Sequence, residues 1–266
     1  MGRNSLFRLG LASMVHAGIL FLGASCFTVT RLNLRQKRLG MDLKSVSRPS
    51  VAVVGSGAVG GYYGARLWES RADVKFFMRG DHFDVSQATG LNVTSVYGDI
   101  FIPPAELQAF DDTKDIGTVD WVIVAVKSTA LDLIPSLISP LLQPDHTRVL
   151  AIMNGLIEED LIQALKSYHN ESNTSGEIRC CGALYGGMAL VCSNRLGPGR
   201  IDHTYAGLLS SGVAIQSPAF TAAENKEAFE NLWDPVQIET AYEPSLLGGR
   251  WRKVRRRRCH SPWPYK

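Results

Sequence analysis

The sequence of 266 residues has few cysteines and no cysteine pattern typical of a metal site. Its five cysteines form no CxxC pair, and no group of cysteines and histidines has the spacing of a zinc site. We therefore expect reduced, structural thiols and no bound metal, with a redox role for the adjacent Cys180 and Cys181 as the alternative. Internal repeats and low-complexity linkers are also absent. With 45% hydrophobic residues, the chain is predicted to form one or two globular domains.

Acidic residues are nearly absent from both ends of the chain. Residues 1–50 contain eight Lys and Arg residues and one acidic residue, and residues 250–266 contain eight and none. Residues 51–249 therefore hold 12 basic and 24 acidic residues. Because this middle part has no basic surface for phosphates, we expect no nucleic-acid partner.

The N-terminal fifty residues are typical of a targeting segment. Arg3 and Arg8 precede an apolar run over residues 9–22, which is too short for a stable membrane span. Residues 28–50 are rich in Arg, Lys and Ser, as in transit segments. The combination resembles the bipartite leaders of algae with complex plastids and predicts an organellar, plastid location. The alternatives are an uncleaved membrane anchor, or translation from Met41, which would give a cytoplasmic protein.

A glycine-rich turn follows the first apolar run of the remaining sequence. Residues 51–54 predict a buried strand, and an apolar helical pattern follows the turn. In this GxGxxG pattern the glycines allow a tight turn, close approach of a pyrophosphate and close packing of the helix on the strand. The residues predicted to bind the dinucleotide at this turn are Gly55, Ser56, Gly57, Ala58, Val59 and Gly60.

The residue after the second strand indicates the type of dinucleotide. Residues 74–78 predict that strand, and Arg79 follows it, nineteen residues after Gly60. NAD-binding proteins place an acid here for the ribose 2′-hydroxyl, whereas an arginine suits the 2′-phosphate of NADP. We therefore expect NADPH as the cofactor, although Asp81 leaves some use of NAD open.

Further strand ends carry polar residues. Residues 121–126 and 149–153 predict buried parallel strands, which end at Lys127 and at Asn154. Because ligands bind beyond the carboxyl ends of such strands, we expect Lys127, Asn154, Arg79 and the glycine turn to converge on one crevice. Residues 91–96 and 100–102 predict a β-hairpin, residues 182–192, 200–215 and 236–240 predict further strands, and residues 221–233 predict a helix. The expected fold is a Rossmann-type doubly wound α/β sheet with an added antiparallel portion.

Over residues 51–254 the sequence resembles the 2-dehydropantoate 2-reductase (ketopantoate reductase) family. The motifs that carry the resemblance are GxGAxGxxxG at residues 55–64, Arg79, Val126-Lys127, Asn154-Gly155-Leu156, a G-x-(V/I)-x-H pattern at residues 199–203, and a W-(R/K)-K pattern in Arg250-Trp251-Arg252-Lys253. One departure is Ile157, where the family usually has glycine, and it is expected to reshape the loop over the nicotinamide.

The resemblance implies a reaction and roles for several residues. It implies reduction of 2-dehydropantoate to (R)-pantoate with NADPH, in pantothenate biosynthesis. Lys253 would be the catalytic proton donor, while Lys127 and Asn154 would bind the substrate and the nicotinamide side of the cofactor. The implied partner is a small 2-keto acid, and a broader 2-keto-acid reductase is an alternative.

The sequence after Val254 departs from the family. Four consecutive arginines, residues 255–258, replace the expected apolar helix, and such a run does not fit the buried face of a helix. We expect a frameshift, retained intron or alternative exon, with a functional basic tail as the alternative. The predicted organisation is a leader (1–50), an NADPH-binding domain (51–240) and a stub of a helical domain (241–266). A homodimer is expected only with a complete C-terminal domain. The alternative function is a catalytically incompetent NADPH-binding protein.

Overall fold

The chain forms a ten-stranded β-sheet with helices on both faces. The computed structural model describes residues 48–170 and 177–260. The strands are β1 Ser50–Val54, β2 Asp73–Phe77, β3 Leu91–Ser95, β4 Ile100–Ile102, β5 Gln108–Phe110, β6 Trp121–Val124, β7 Arg148–Ile152, β8 Ala183–Gly197, β9 Arg200–Gln216 and β10 Thr240–Tyr242. The helices are α1 Ala58–Glu69, α2 Asp81–Thr89, α3 Ile134–Ile138, α4 Glu158–Tyr168, α5 Ala222–Trp233 and α6 Leu246–His260.

The strand order divides the sheet into a parallel part and a mixed part. The order is β4-β3-β9-β8-β7-β6-β1-β2-β5, and β10 pairs with β9. All neighbours from β8 to β5 are parallel, while β8 and β9 form a long antiparallel pair and β3 pairs with β4 as an antiparallel hairpin. This is the expected Rossmann-type α/β sheet with an added antiparallel portion.

Alternating side chains along the strands explain why helices cover both faces. Val51 and Val53 of β1 face one apolar cluster, to which α1 and α5 contribute, and Ala52 and Val54 face the other, to which α3 and α4 contribute. A strand with both faces buried must be apolar, as β6 is throughout and β1 is after its half-buried first residue, Ser50. Because β1, β2, β6 and β7 are parallel to one another, their carboxyl ends lie at one edge of the sheet.

Two predicted elements illustrate where the sequence pattern was right and where it was wrong. The helix predicted at 221–233 is α5, and Thr221 caps it through a capping box with Glu224. The β-like run predicted at 236–240 is wrong for most of its length, because the strand β10 begins only at Thr240. Before it, the Val236 and Ile238 N–H groups bond to nearby carbonyls within tight turns, so they are not available to a sheet.

Most of the predicted leader lies outside the described residues, which include only its last three positions, 48–50. Residues 261–266 lie outside them as well. The domain boundary at residue 240 stays a prediction. The helix α6 packs against β8 and β9 and continues past Val254. Within residues 48–170 and 177–260, no helix is long and apolar enough to cross a membrane, and no cluster of three or more potential metal ligands was found.

Candidate active site

The glycine turn lies between β1 and α1 and has little room on its inner side. Gly55 has φ +96°, and a Cβ there would lie 2.7 Å from Val126 Cγ1 and 2.8 Å from the carbonyl oxygen of Ala125. A Cβ at Gly60 would overlap the Gly55 carbonyl oxygen and lie 3.0 Å from Ala125 Cβ. These two glycines therefore let the turn and the helix pack closely against the end of β6.

The outer side of the same turn is open. A Cβ added at Gly57 would meet no atom within 4 Å. Gly57 is also the N-cap of α1, where no side chain caps the helix and no acid lies in the first turn. The first N–H groups of the helix, at Ala58, Val59 and Gly60, are therefore suited to an anion. An open space above uncapped N–H groups fits the pyrophosphate of a dinucleotide.

Ser56 differs from the rest of the predicted cofactor site, because its hydroxyl is turned inward. Ser56 is buried, and its Oγ lies 3.1 Å from the carbonyl oxygen of Val53 and 3.0 Å from that of Phe77. The hydroxyl therefore fastens the turn to the ends of β1 and β2. The main-chain N–H of Ser56 also bonds to the carbonyl oxygen of Phe77, at 3.5 Å.

His82 is a residue of this site that the sequence motifs did not reveal. Its Nδ1 accepts a hydrogen bond from the Gly199 N–H at 3.0 Å, so its Nε2 must carry the hydrogen that it donates to the Ser56 carbonyl oxygen at 2.7 Å. Burial lowers the pKa of His82, against the opposing effect of the Ser56 carbonyl, and keeps the ring neutral. His82 thus joins the glycine turn to the turn between β8 and β9.

Arg79 lies at the same edge of the sheet as the glycine turn. Val54 and Phe77, the last residues of β1 and β2, are paired in register, and Arg79 follows two residues after Phe77. Its guanidinium is exposed, with its Cζ 5.8 Å from the centre of the Phe77 ring. The arginine is therefore placed beside the turn, with its charged group open to a ligand.

The two other predicted strand ends reach the same edge. Lys127 is exposed just after β6, where a 3-10 turn over Ser128–Leu133 begins, and Asn154 is exposed just after β7. The loop after Asn154 contains Gly155 with φ +102° and then Ile157, which is buried in the apolar cluster beside α4. The departure from the family at Ile157 therefore lies in the core under the loop.

Lys253 and Asn154, predicted from motifs almost one hundred residues apart, meet in the structure. The Nζ of Lys253 donates a hydrogen bond to Asn154 Oδ1 at 3.0 Å. Lys253 lies on α6 and is half-buried. The helix therefore brings a cationic proton donor to the end of β7, at the edge where the glycine turn also lies.

Cavities border this lysine on two sides. The larger one, about 210 Å³, is lined by Asn154, Gly155, Leu156, Arg250, Trp251, Lys253 and Val254. The smaller one, about 90 Å³, is bordered by Lys253, Glu243 and Gly249 among others. The Lys253 ammonium is therefore accessible to a small ligand at the helix surface.

The histidine of the G-x-(V/I)-x-H pattern lies deeper in the fold. His203 is buried, stacks on Tyr62 with 4.1 Å between ring centres, and its Nδ1 is 2.8 Å from Ser95 Oγ. Burial lowers the pKa of His203. Its contacts join α1, β3 and β9, so it supports the sheet behind the glycine turn.

Comparisons with known proteins give matches over most of the chain. Residues 51–214 match the family described as "Ketopantoate reductase PanE/ApbA". The 2-dehydropantoate 2-reductase of Nostoc sp. is 31% identical over 205 residues, which cover 76% of this chain and 59% of that protein. This chain therefore spans less than two thirds of the length of that relative.

Solved structures show the same fold. The 2-dehydropantoate 2-reductase of Geobacter metallireducens GS-15 superposes with a TM-score of 0.64 at 30% identity, covering 78% of this chain and 62% of that one. A D-mandelate dehydrogenase in a ternary structure with NADH and anilino(oxo)acetate superposes with a TM-score of 0.62. It is 19% identical and covers 77% of this chain and 60% of that one, so it shows the fold alone.

Proposed function

Because this chain belongs to the ketopantoate reductase family, we propose that it reduces 2-dehydropantoate to (R)-pantoate with NADPH, in pantothenate biosynthesis. The hydrogen bond between Lys253 and Asn154 carries the proposal. It joins a cationic acid to the sheet edge at which the open, uncapped glycine turn lies. A reductase needs both features within reach of one substrate.

The proposed chemistry assigns a task to each polar residue at the edge. Reduction of a 2-keto acid requires a hydride at the carbonyl carbon and a proton at the carbonyl oxygen. When bound, the reduced nicotinamide supplies the hydride. Lys253 donates one hydrogen bond to Asn154 and, as a cationic acid, would donate a proton to the keto oxygen. Lys127 would attract the substrate carboxylate.

Preference for NADPH over NADH is the part of the proposal that Arg79 supports. Arg79→Ala would remove a charge-assisted contact of about 1.5–3 kcal/mol with the 2′-phosphate and leave NADH binding nearly unchanged. Titration of both cofactors into the parent and variant chains measures this. Arg179→Ala is the matched control, because Arg179 is an exposed arginine that precedes β8, at the opposite edge of the sheet. Equal affinity of the parent chain for the two cofactors would contradict the preference.

The reaction is tested by following NADPH oxidation with 2-dehydropantoate. Lys253→Met would lower turnover by about 10²–10⁴-fold, the usual contribution of a positioned acid, while NADPH affinity is retained. Lys226→Met, on the distant helix α5, controls for loss of a surface lysine. Testing other 2-keto acids beside 2-dehydropantoate distinguishes the proposed substrate from that of a broader 2-keto-acid reductase.

A second candidate is a protein that binds NADPH without efficient catalysis. Leu247, Trp251 and Val254 are exposed on α6 beside Lys253, so water reaches the proposed catalytic lysine freely. Cofactor binding rests on residues of the first strands and would be unaffected. Adding a complete C-terminal domain of the family to this chain would then raise turnover strongly. Comparable turnover of the two proteins would rule out this candidate.

A homodimer is proposed only for a protein with a complete C-terminal domain of the family.

The leader is proposed to direct the protein to an organelle, specifically a plastid. The proposal is supported by the apolar run over residues 9–22 and the acid-poor segment that follows it. A fluorescent reporter fused behind residues 1–50 tests it in a cell with complex plastids. The matched control is the same reporter behind residues 41–50, which should stay in the cytoplasm. A diffuse cytosolic signal from both fusions would contradict it.

A further inference from the structure

A buried ion pair connects the helix that carries Lys253 to the loop that carries Asn154. Arg250, in the first half of α6, is 6% exposed, and its Nη2 pairs with the carboxylate of Glu158. Its Nη1 donates a hydrogen bond to the carbonyl oxygen of Met153 at 2.8 Å. One guanidinium thus binds two points of the chain that follows β7.

The two points lie on either side of Asn154. Met153 immediately precedes it, and Glu158 is the first residue of α4, four positions after it. Lys253 is three residues after Arg250, and residues at that spacing lie on the same face of a helix. Arg250 therefore sets the distance between this face of α6 and the loop, one turn before the place where Lys253 contacts Asn154.

The residues around the ion pair leave the Glu158 carboxylate no room to move. A Cβ added at Gly186 of β8 would overlap Glu158 Oε1 and lie 2.8 Å from both terminal methyl groups of Leu246. A guanidinium is planar and rigid, so it can bind both acceptors at once, which the single ammonium of a lysine cannot do in the same geometry. The position of α6 is thereby fixed in direction as well as in distance.

Stability alone is a weak reason for such a pair. Burying two charges costs about as much as their attraction returns, and apolar residues of similar size commonly serve equally well. Here the Nε of Arg250 is also buried without a hydrogen-bond partner, which adds to the cost. The buried charges of Arg250 and Glu158 are therefore better explained by a role in fixing the position of α6 than by a contribution to folding.

We propose that Arg250 and Glu158 are positioning residues that hold Lys253 against Asn154. The inference rests on the proposed reductase function for its role in catalysis, but the geometric claim stands without turnover. It predicts that the environment of the Lys253 amine depends on a guanidinium three residues away and on a carboxylate in a different element.

The test measures the reactivity of the Lys253 amine in the full chain. Trace labelling with an acylating reagent over a range of pH, read by mass spectrometry, gives the rate and apparent pKa for each lysine, and the exposed Lys127 serves as internal reference. In Arg250→Lys and Glu158→Gln we expect Lys253 labelling to rise about fivefold relative to Lys127, the factor for loss of one ordinary hydrogen bond. NADPH affinity should stay within about twofold of the parent value, since the glycine turn is untouched.

The matched control is Glu230→Gln, which neutralises a glutamate in an exposed pair with Lys226 on α5 and should leave Lys253 labelling unchanged. Thermal unfolding identifies a variant that fails to fold, and Arg250→Lys and Glu158→Gln provide two independent chances of a folded protein. If both lose structure, Arg250→Met combined with Glu158→Leu removes the buried charges together and gives the folded comparison. Unchanged Lys253 labelling in any folded variant of the pair would overturn the proposal.

Turnover separates this inference from the proposed function. If the parent chain reduces 2-dehydropantoate, the variants should lose on the order of 100-fold in kcat, the effect of misplacing a catalytic group by about 1 Å, with a smaller change in KM. If the parent chain shows no turnover while the labelling changes as expected, the reductase proposal fails and the positioning claim holds. If turnover is retained and the labelling is unchanged, the positioning claim fails and the reductase proposal holds.

Discussion

Two glycines of the same turn should respond in opposite ways to the same substitution. Gly57 and Gly60 both belong to the GxGxxG pattern, but an added methyl group meets different surroundings at each. At Gly57 no atom lies within 4 Å of an added Cβ, and the backbone is extended with a negative φ of −77°, so alanine needs no left-handed conformation there. At Gly60 the methyl group would overlap the carbonyl oxygen of Gly55 and crowd Ala125.

The expected magnitudes follow from these surroundings. Gly57→Ala should leave the free energy of unfolding unchanged or raise it by up to about 1 kcal/mol, because alanine restricts the unfolded chain. Its methyl group would occupy the space proposed for the pyrophosphate and lengthen the charge-assisted contacts with the helix N–H groups, which are worth about 1.5–3 kcal/mol each. Loss of one such contact predicts NADPH binding about 10- to 100-fold weaker.

Gly60→Ala should instead lower stability. Alanine gains about 1 kcal/mol over glycine in helix propensity, but overpacking against a main-chain carbonyl costs about 1–3 kcal/mol or more, and a carbonyl cannot rotate away. We expect a net loss of about 2 kcal/mol at the upper end of that range. NADPH affinity would fall as well, because α1 would move away from β6.

Urea unfolding of the cofactor-free protein and titration with NADPH separate the two effects. Gly57→Ala should be stable but bind NADPH poorly, whereas Gly60→Ala should be less stable than the parent chain. Wild-type NADPH affinity in Gly57→Ala would show that the pyrophosphate does not lie above this turn. Unchanged stability in Gly60→Ala would show that α1 does not pack as closely on β6 as the structure indicates.

Three further predictions concern buried groups near the same turn. Ser56→Ala should cost about 1–3 kcal/mol in urea unfolding, because it removes the hydrogen bond that the buried hydroxyl donates to the carbonyl oxygens at the ends of β1 and β2. It should keep NADPH affinity, so a selective loss of affinity would contradict the inward orientation of the hydroxyl. Burial lowers the pKa of His82 and His203 below the ordinary value of 6.5, so the unfolded chain takes up protons first as the pH falls below about 6.5. The free energy of unfolding is therefore at its full value above that pH and decreases below it. Replacing both histidines with Gln should flatten this slope, and an unchanged slope would refute the assignment to these two residues. Gly207→Ala should destabilise the chain by about 1–3 kcal/mol in the same urea assay, since φ is +138° and a Cβ would lie 2.8 Å from Tyr62 Oη, and wild-type stability would contradict that packing.

The sequence by itself determined the features that depend on short stretches of chain. An apolar run before Gly55 and a helical pattern after it predict a strand, a turn and a helix, because glycine conformation and side-chain periodicity act over a few residues. The same holds for the strand ends at Arg79, Lys127 and Asn154, since buried parallel strands must be apolar and end where polar residues begin. Even the meeting at one edge follows from parallel strands, and the structure confirms it.

Tertiary structure alone decided which polar groups face the ligand and which bind the chain. The Ser56 hydroxyl fits the phosphate motif by sequence, yet the ends of β1 and β2 bind it from within. No local pattern predicts the partners of His82 and Arg250, because Gly199 and Glu158 lie 117 and 92 residues away along the chain. Such pairs form only when burial of apolar faces brings two separate elements together. Neither sequence segment alone therefore predicts its partner.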